Sequence, residues 1–144
     1  MAARQRNLPA IICRKRAILQ GMQTVLISLA GIFGVLGRYF MSLGVTRLAG
    51  PGFPFATVLI NVLGSFLIGV VYVLGAEKAA ISETTRVALM VGFMGGFTTF
   101  SSFALETVRL FEGGQLGLAV VNVLVSVVLC LGAVAFGLFL ARAV

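Results

Sequence analysis

The stretch Gly95-Gly96-Phe97-Thr98-Thr99-Phe100-Ser101-Ser102-Phe103 concentrates the side chains and backbone best suited to handling an ion. Two adjacent glycines precede four hydroxyl residues interleaved with phenylalanines, a composition that makes a poor uniform helix. Hydroxyls donate to an anion, and a phenylalanine ring turns a positive edge towards one. A helix that opens here frees backbone carbonyls, good ligands for a hard cation such as Na⁺. A second pattern is Thr57, Asn61 and Ser65, spaced i, i+4, i+8. Each step drifts by only about 40° around a helix, so the three form one polar stripe. Asn122, Ser126 and Cys130 repeat the spacing. Either stripe alone serves interhelical hydrogen bonding or a pathway. Two of them, in a chain with no acid inside an apolar run, suit a neutral hydrogen-bonding pathway, whose donors favour an anion only weakly.

Much other chemistry is excluded. The sequence has no His, and its four acids are Glu77, Glu83, Glu106 and Glu112. Histidine catalysis and histidine metal sites are therefore absent. No nucleophile–base pair, metal-ligand cluster or cofactor motif is visible, so an enzyme is not expected. Glu106 reads as a carboxylate at the water-facing end of the third helix. Arg38, near the end of the first apolar run, either snorkels to the interface or supplies positive potential at a pore entrance. Cys13 and Cys130 do not form a disulfide framework, and Cys130 reads as a small buried hydrophobe.

The elements that must carry these residues are legible from composition. Of 144 residues, 60% are hydrophobic and 10% charged, with mean hydropathy +1.12. A soluble domain carries about 25% charged residues. Four apolar runs, at approximately 24–41, 56–74, 87–105 and 116–141, are each long enough to cross a bilayer. Backbone satisfaction in lipid favours helices, and barrel-type alternation is missing. The expected fold is an all-α membrane protein with four transmembrane helices. Ser82-Glu83-Thr84 suits a helix start. Pro51, Gly52 and Pro54 mark one link, and Glu106 to Gln115, with Gly113-Gly114, marks another. Glycines inside the runs (Gly31, Gly34, Gly37, Gly64, Gly69, Gly132, Gly137) suit close helix contact. The first run continues past Leu29-Ala30-Gly31, so it reads as a span rather than a cleaved signal.

The formal charge of +7 is uneven. Arg4, Arg6, Arg14, Lys15 and Arg16 lie in residues 1–21, which read as a basic leader, disordered or absent from a chain begun at Met22. Residues 22–144 then form the membrane domain. Within that domain Lys78, Arg86 and Arg142 fall on one side of the layout and Arg38, Arg47 and Arg109 on the other, the balance of a chain that inserts both ways. The expected surroundings are lipid, with no nucleic-acid partner.

From about Met22 onward the sequence resembles the CrcB/Fluc family of fluoride channels. The likeness is carried by GxxGxxxRY (Gly31, Gly34, Arg38, Tyr39), by TxxxNxxGSFxxG from Thr57 to Gly69, and by GGFTTFSSF. It implies a passive fluoride channel of a bacterial inner (plasma) membrane that lowers fluoride toxicity. It also implies an antiparallel, dual-topology homodimer of four-helix subunits, with the third helix broken mid-membrane and two fluoride pathways along the interface. A structural Na⁺ at the dimer centre would be held by the carbonyls of Gly95 and Thr98. The resemblance makes Phe100 and Phe103 the pore phenylalanines and Asn61 the pore amide. Thr57, Ser101, Ser102 and Ser126 match or neighbour hydroxyl positions, and Arg38 matches a basic residue. Two departures stand out: Ser102 where the family often has Thr, and Asn122 where some members place Tyr. Two rivals are a small multidrug-type antiporter, which needs a carboxylate inside the bilayer, and a structural subunit of a membrane complex, which has no use for GGFTTFSSF.

Overall fold

The structure is a computed structural model that describes the backbone of residues 8–144 and the side chains of residues 18–144. Helix α1 spans Leu8–Ala49 and α2 spans Phe55–Tyr72, prolonged by a π-helical turn at Val73–Glu77. Next come α3 (Glu83–Val87), a π-helical stretch (Ala88–Met94), α4 (Gly95–Phe97), α5 (Phe100–Glu112) and α6 (Leu116–Ala143). No strand occurs among the described residues. Four spans result: Ile18–Ala49, Phe55–Glu77, Glu83–Glu112 and Leu116–Ala143, of 32, 23, 30 and 28 residues. At about 1.5 Å per residue each exceeds a hydrocarbon core of about 30 Å. The protein is a multi-pass membrane protein.

The expected runs mark the apolar centres of the spans, and the helices extend beyond them. The first helix continues to Ala49 because Ser42, Thr46 and Arg47 are tolerated at its end. It stops where Gly50 adopts φ +76°, a left-handed geometry that only glycine takes easily, with Pro51 directly behind. The Gly50 N–H donates to the Thr46 carbonyl at 3.0 Å. Of the basic leader read at 1–21, residues 1–7 lie outside the described residues. Residues 8–21 are the first part of α1, which is continuous through Met22. Ser82 caps α3 as expected, its hydroxyl accepting from the Thr85 N–H at 3.1 Å.

Glycines set how closely the helices approach. Where α2 meets α6, a Cβ on Gly69 would lie 2.7 Å from the Val134 carbonyl oxygen, and one on Gly137 would strike the Phe66 carbonyl. Where α1 meets the third span, a Cβ on Gly34 would strike the Phe93 carbonyl. Gly132 departs from the expectation of tight packing: nothing lies within 4 Å of its would-be Cβ. The apolar flank of the bundle, including Phe33, Leu131 and Phe139, is exposed, as a lipid-facing surface must be. At one end Arg142 donates to both carboxylate oxygens of Glu77 at 2.9 and 2.6 Å, tying α6 to the second span. Arg86 does the same to Glu83 at 2.9 and 2.6 Å.

Candidate functional site

The third span leaves helical geometry at two residues. Thr98 has φ −78°, ψ 157° and Thr99 has φ −151°, ψ 108°, an extended pair between α4 and α5. In lipid such a segment needs replacement partners for its backbone. Asn61, on α2, supplies them. Its Oδ1 accepts from the Thr99 N–H at 2.8 Å and its Nδ2 donates to the Thr99 carbonyl at 3.0 Å. A backbone N–H only donates and a carbonyl only accepts, so the amide orientation is fixed. Thr99 then restarts the helix as an N-cap, its hydroxyl oxygen accepting from the Ser102 N–H at 3.2 Å.

The carbonyls of Gly95 and Thr98 are among those that this break releases. The donor that would close a helical bond to Gly95 is the Thr99 N–H, which goes to Asn61. The donor that would close one to Thr98 is the Ser102 N–H, which goes to the Thr99 hydroxyl. Gly95 is exposed on the surface of the single chain, with nothing within 4 Å of its would-be Cβ.

Beside the extended pair lies an open cavity of about 390 Å³, lined in part by Asn61, Thr98, Phe100, Phe103, Ser126 and Cys130. Phe100 is 79% exposed, and its ring centroid lies 5.3 Å from that of Phe103 at an interplanar angle of 46°. Asn61 has a second amide hydrogen beyond the one given to Thr99, so it both holds the backbone and keeps a donor for the cavity. Ser65, on the same stripe, also lines it.

The remaining sequence-selected residues divide. Half-buried Ser102 meets the Thr99 hydroxyl at 3.0 Å and exposed Ser101 meets it at 3.3 Å; neither lines the cavity. Arg38 is half-buried and makes no hydrogen bond or ion pair among the described residues. Thr57 is buried and donates to Glu106 Oε1 at 2.8 Å. That bond corrects the reading of Glu106 as a water-facing end group. The helix runs on to Glu112, so Glu106 sits inside α5, and its Oε2 is buried without a hydrogen-bond partner. Glu106 lines a second cavity of about 520 Å³, together with Arg109, Gln115, Ser42 and Thr46, at the end opposite the ion pairs. Cys130 is only partly buried and faces the first cavity, correcting its reading as a buried hydrophobe.

Residues 25–138 match the family described as CrcB-like protein, Camphor Resistance (CrcB). The chain belongs to the CrcB family. A fluoride-specific ion channel FluC of Citrifermentans bemidjiense is 49% identical to it over 121 residues, 84% of this chain and 98% of the relative. One from Geobacter sp. (strain M21) is 50% identical over 121 residues, with the same coverage. One from Agrobacterium fabrum is 45% identical over 117 residues, 81% of this chain and 94% of the relative. The CrcB match takes in the extended pair, both cavities and every residue named around them.

Two contributors to this CrcB site escaped the sequence reading. Thr99 reads in the sequence only as one hydroxyl among four, although a Thr directly ahead of a helix that starts at Phe100 is of an N-cap type. Thr107, which receives the Asn122 amide at 2.8 Å, lay in a segment read as a link and left no signal.

Proposed function

We propose that this chain is a fluoride-selective channel that passively carries F⁻ out of the cytoplasm and so lowers fluoride toxicity. The observation that carries the proposal is the Asn61–Thr99 clamp beside a cavity walled by Phe100, Phe103 and Ser126. Fluoride is small and strongly hydrated, so a conduit must replace its water with donors. An amide hydrogen, hydroxyls and ring edges do this without a permanent positive charge. Narrowness and weaker donor contact exclude larger halides. The fluoride-specific channels named among its relatives support this choice of ion.

The working unit is an antiparallel, dual-topology homodimer in the inner membrane, with the third helix broken mid-membrane. The balance of three cations on each side of residues 22–144 supports insertion both ways. The open flank of the Phe100 cavity supports a second subunit as its missing wall. The released carbonyls of exposed Gly95 and half-buried Thr98 are hard oxygen donors, and their chemistry suits a sodium ion shared between two copies. Bound there, the ion supplies a fixed positive charge on the two-fold axis.

Expression in a bacterium lacking its own fluoride exporter tests the reading. Growth should be rescued on fluoride and not on toxic organic cations. Rescue on cations alone would favour the antiporter instead.

A further inference from the structure

Ser126 lines the Phe100 cavity, but its hydroxyl is held unlike others in this chain. Thr24, Ser28, Thr98 and Thr107 each donate to the backbone carbonyl four residues back, at 2.9, 2.9, 2.9 and 2.7 Å. Ser126 instead donates to the side-chain oxygen of Asn122, at 3.5 Å. Good O–H···O bonds lie near 2.7–2.8 Å, so this proton is barely engaged.

The orientation of Asn122 follows from its other neighbour. Asn122 is fully buried, and its Nδ2 donates to Thr107 Oγ1 at 2.8 Å. The Thr107 proton is committed to the Phe103 carbonyl, so Thr107 can only accept from Asn122. A flipped amide would set two acceptors against each other. Thr107 therefore locks the Asn122 carbonyl towards Ser126, and the hydrogen bonds run in one direction from Ser126 through Asn122 and Thr107 to the backbone of Phe103.

We propose that Asn122 is a positioning residue that keeps the Ser126 hydroxyl loosely held and ready to donate to an anion in the cavity. The inference rests on the reading of this cavity as a fluoride pathway. Its physical content is competition. Without the Asn122 amide, Ser126 falls back onto the strong bond to its own i−4 carbonyl that Thr24, Ser28, Thr98 and Thr107 make, and its proton is withdrawn from the cavity. Thr107 is part of the device because it denies Asn122 the wrong flip.

The test is fluoride efflux from proteoliposomes in a double-mutant design. Asn122→Leu and the isosteric Thr107→Val should each slow efflux about tenfold, the scale of one lost hydrogen bond to a charged partner. Each should have no further effect in a Ser126→Ala background, because both act through that hydroxyl. Thr107→Ser, which keeps the acceptor, should retain the parent rate. Additive losses in the Ser126→Ala background, or parent rates in both Asn122→Leu and Thr107→Val, would overturn the proposal. Phe100→Ile, measured alongside, separates the two levels: a silent Phe100→Ile with full-rate Asn122→Leu and Thr107→Val rejects the positioning role alone. A full-rate Phe100→Ile rejects the pathway itself.

Discussion

Asn61 is the residue on which the site turns, because one side chain does two jobs. It replaces the backbone partners that Thr99 lost, and it leaves one amide hydrogen for the cavity. Asn61→Asp removes the donor to the Thr99 carbonyl and sets an anion in an anion path. Fluoride efflux should fall at least tenfold, since stranding a buried carbonyl costs about 1–3 kcal/mol even before charge repulsion. An unchanged rate would remove Asn61 from the pathway. Cys130 offers a chemical probe of the same groove. In a Cys13→Ala background, a small methanethiosulfonate reagent should slow efflux, and Cys130→Ala should abolish that sensitivity. At this scale the sequence was partly legible. Hydroxyl and amide types at helical spacing identified Asn61 and Ser126, but hydrogen-bond direction was not readable. Glu106 shows the limit, for nothing in the spacing said that its carboxylate would turn inward to Thr57.

Helices are held together in this chain by the absence of side chains as much as by their presence. Gly137 meets the Phe66 carbonyl so closely that any Cβ must push α2 and α6 apart. Gly137→Val should lower the thermal unfolding midpoint in detergent, by the overpacking cost of about 1–3 kcal/mol. Gly132→Val, on the same helix but facing open space, should leave the midpoint within about a degree or raise it slightly, because β-branching costs less in a helix than glycine does. Equal losses in both would mean that the close approach at Gly137 does not govern the effect. Glycine content announced close contact in the sequence, but not which glycines make it, because that depends on the rotation of each helix about its axis. The ends of helices were legible only where a local signal exists, as at Ser82; the first apolar run ended near residue 41, whereas its helix runs on to Ala49. The run from Glu106 to Glu112 looked like a link because it is polar, and it is helical because no breaker precedes Gly113.

The architecture of the whole molecule was the most legible level, since hydrophobic length is a coarse property that composition carries directly. Four spans follow from four apolar runs, and the near absence of loops leaves the conduit to be built from helix faces. In the proposed homodimer a second chain would complete the wall of the cavity beside Phe100, which is open on one flank. Cross-linking of purified protein in membranes should yield a dimer as the largest abundant species, with both orientations accessible to impermeant labels. A single orientation would refute antiparallel pairing. The central claim is tested most directly by ion-selective measurement of efflux from liposomes loaded with fluoride and, separately, with chloride. Rapid fluoride loss with negligible chloride loss, silenced by Phe100→Ile at unchanged dimer assembly, is the expected result. Fluoride retention by the parent protein, or chloride leaving as fast as fluoride, would contradict the account.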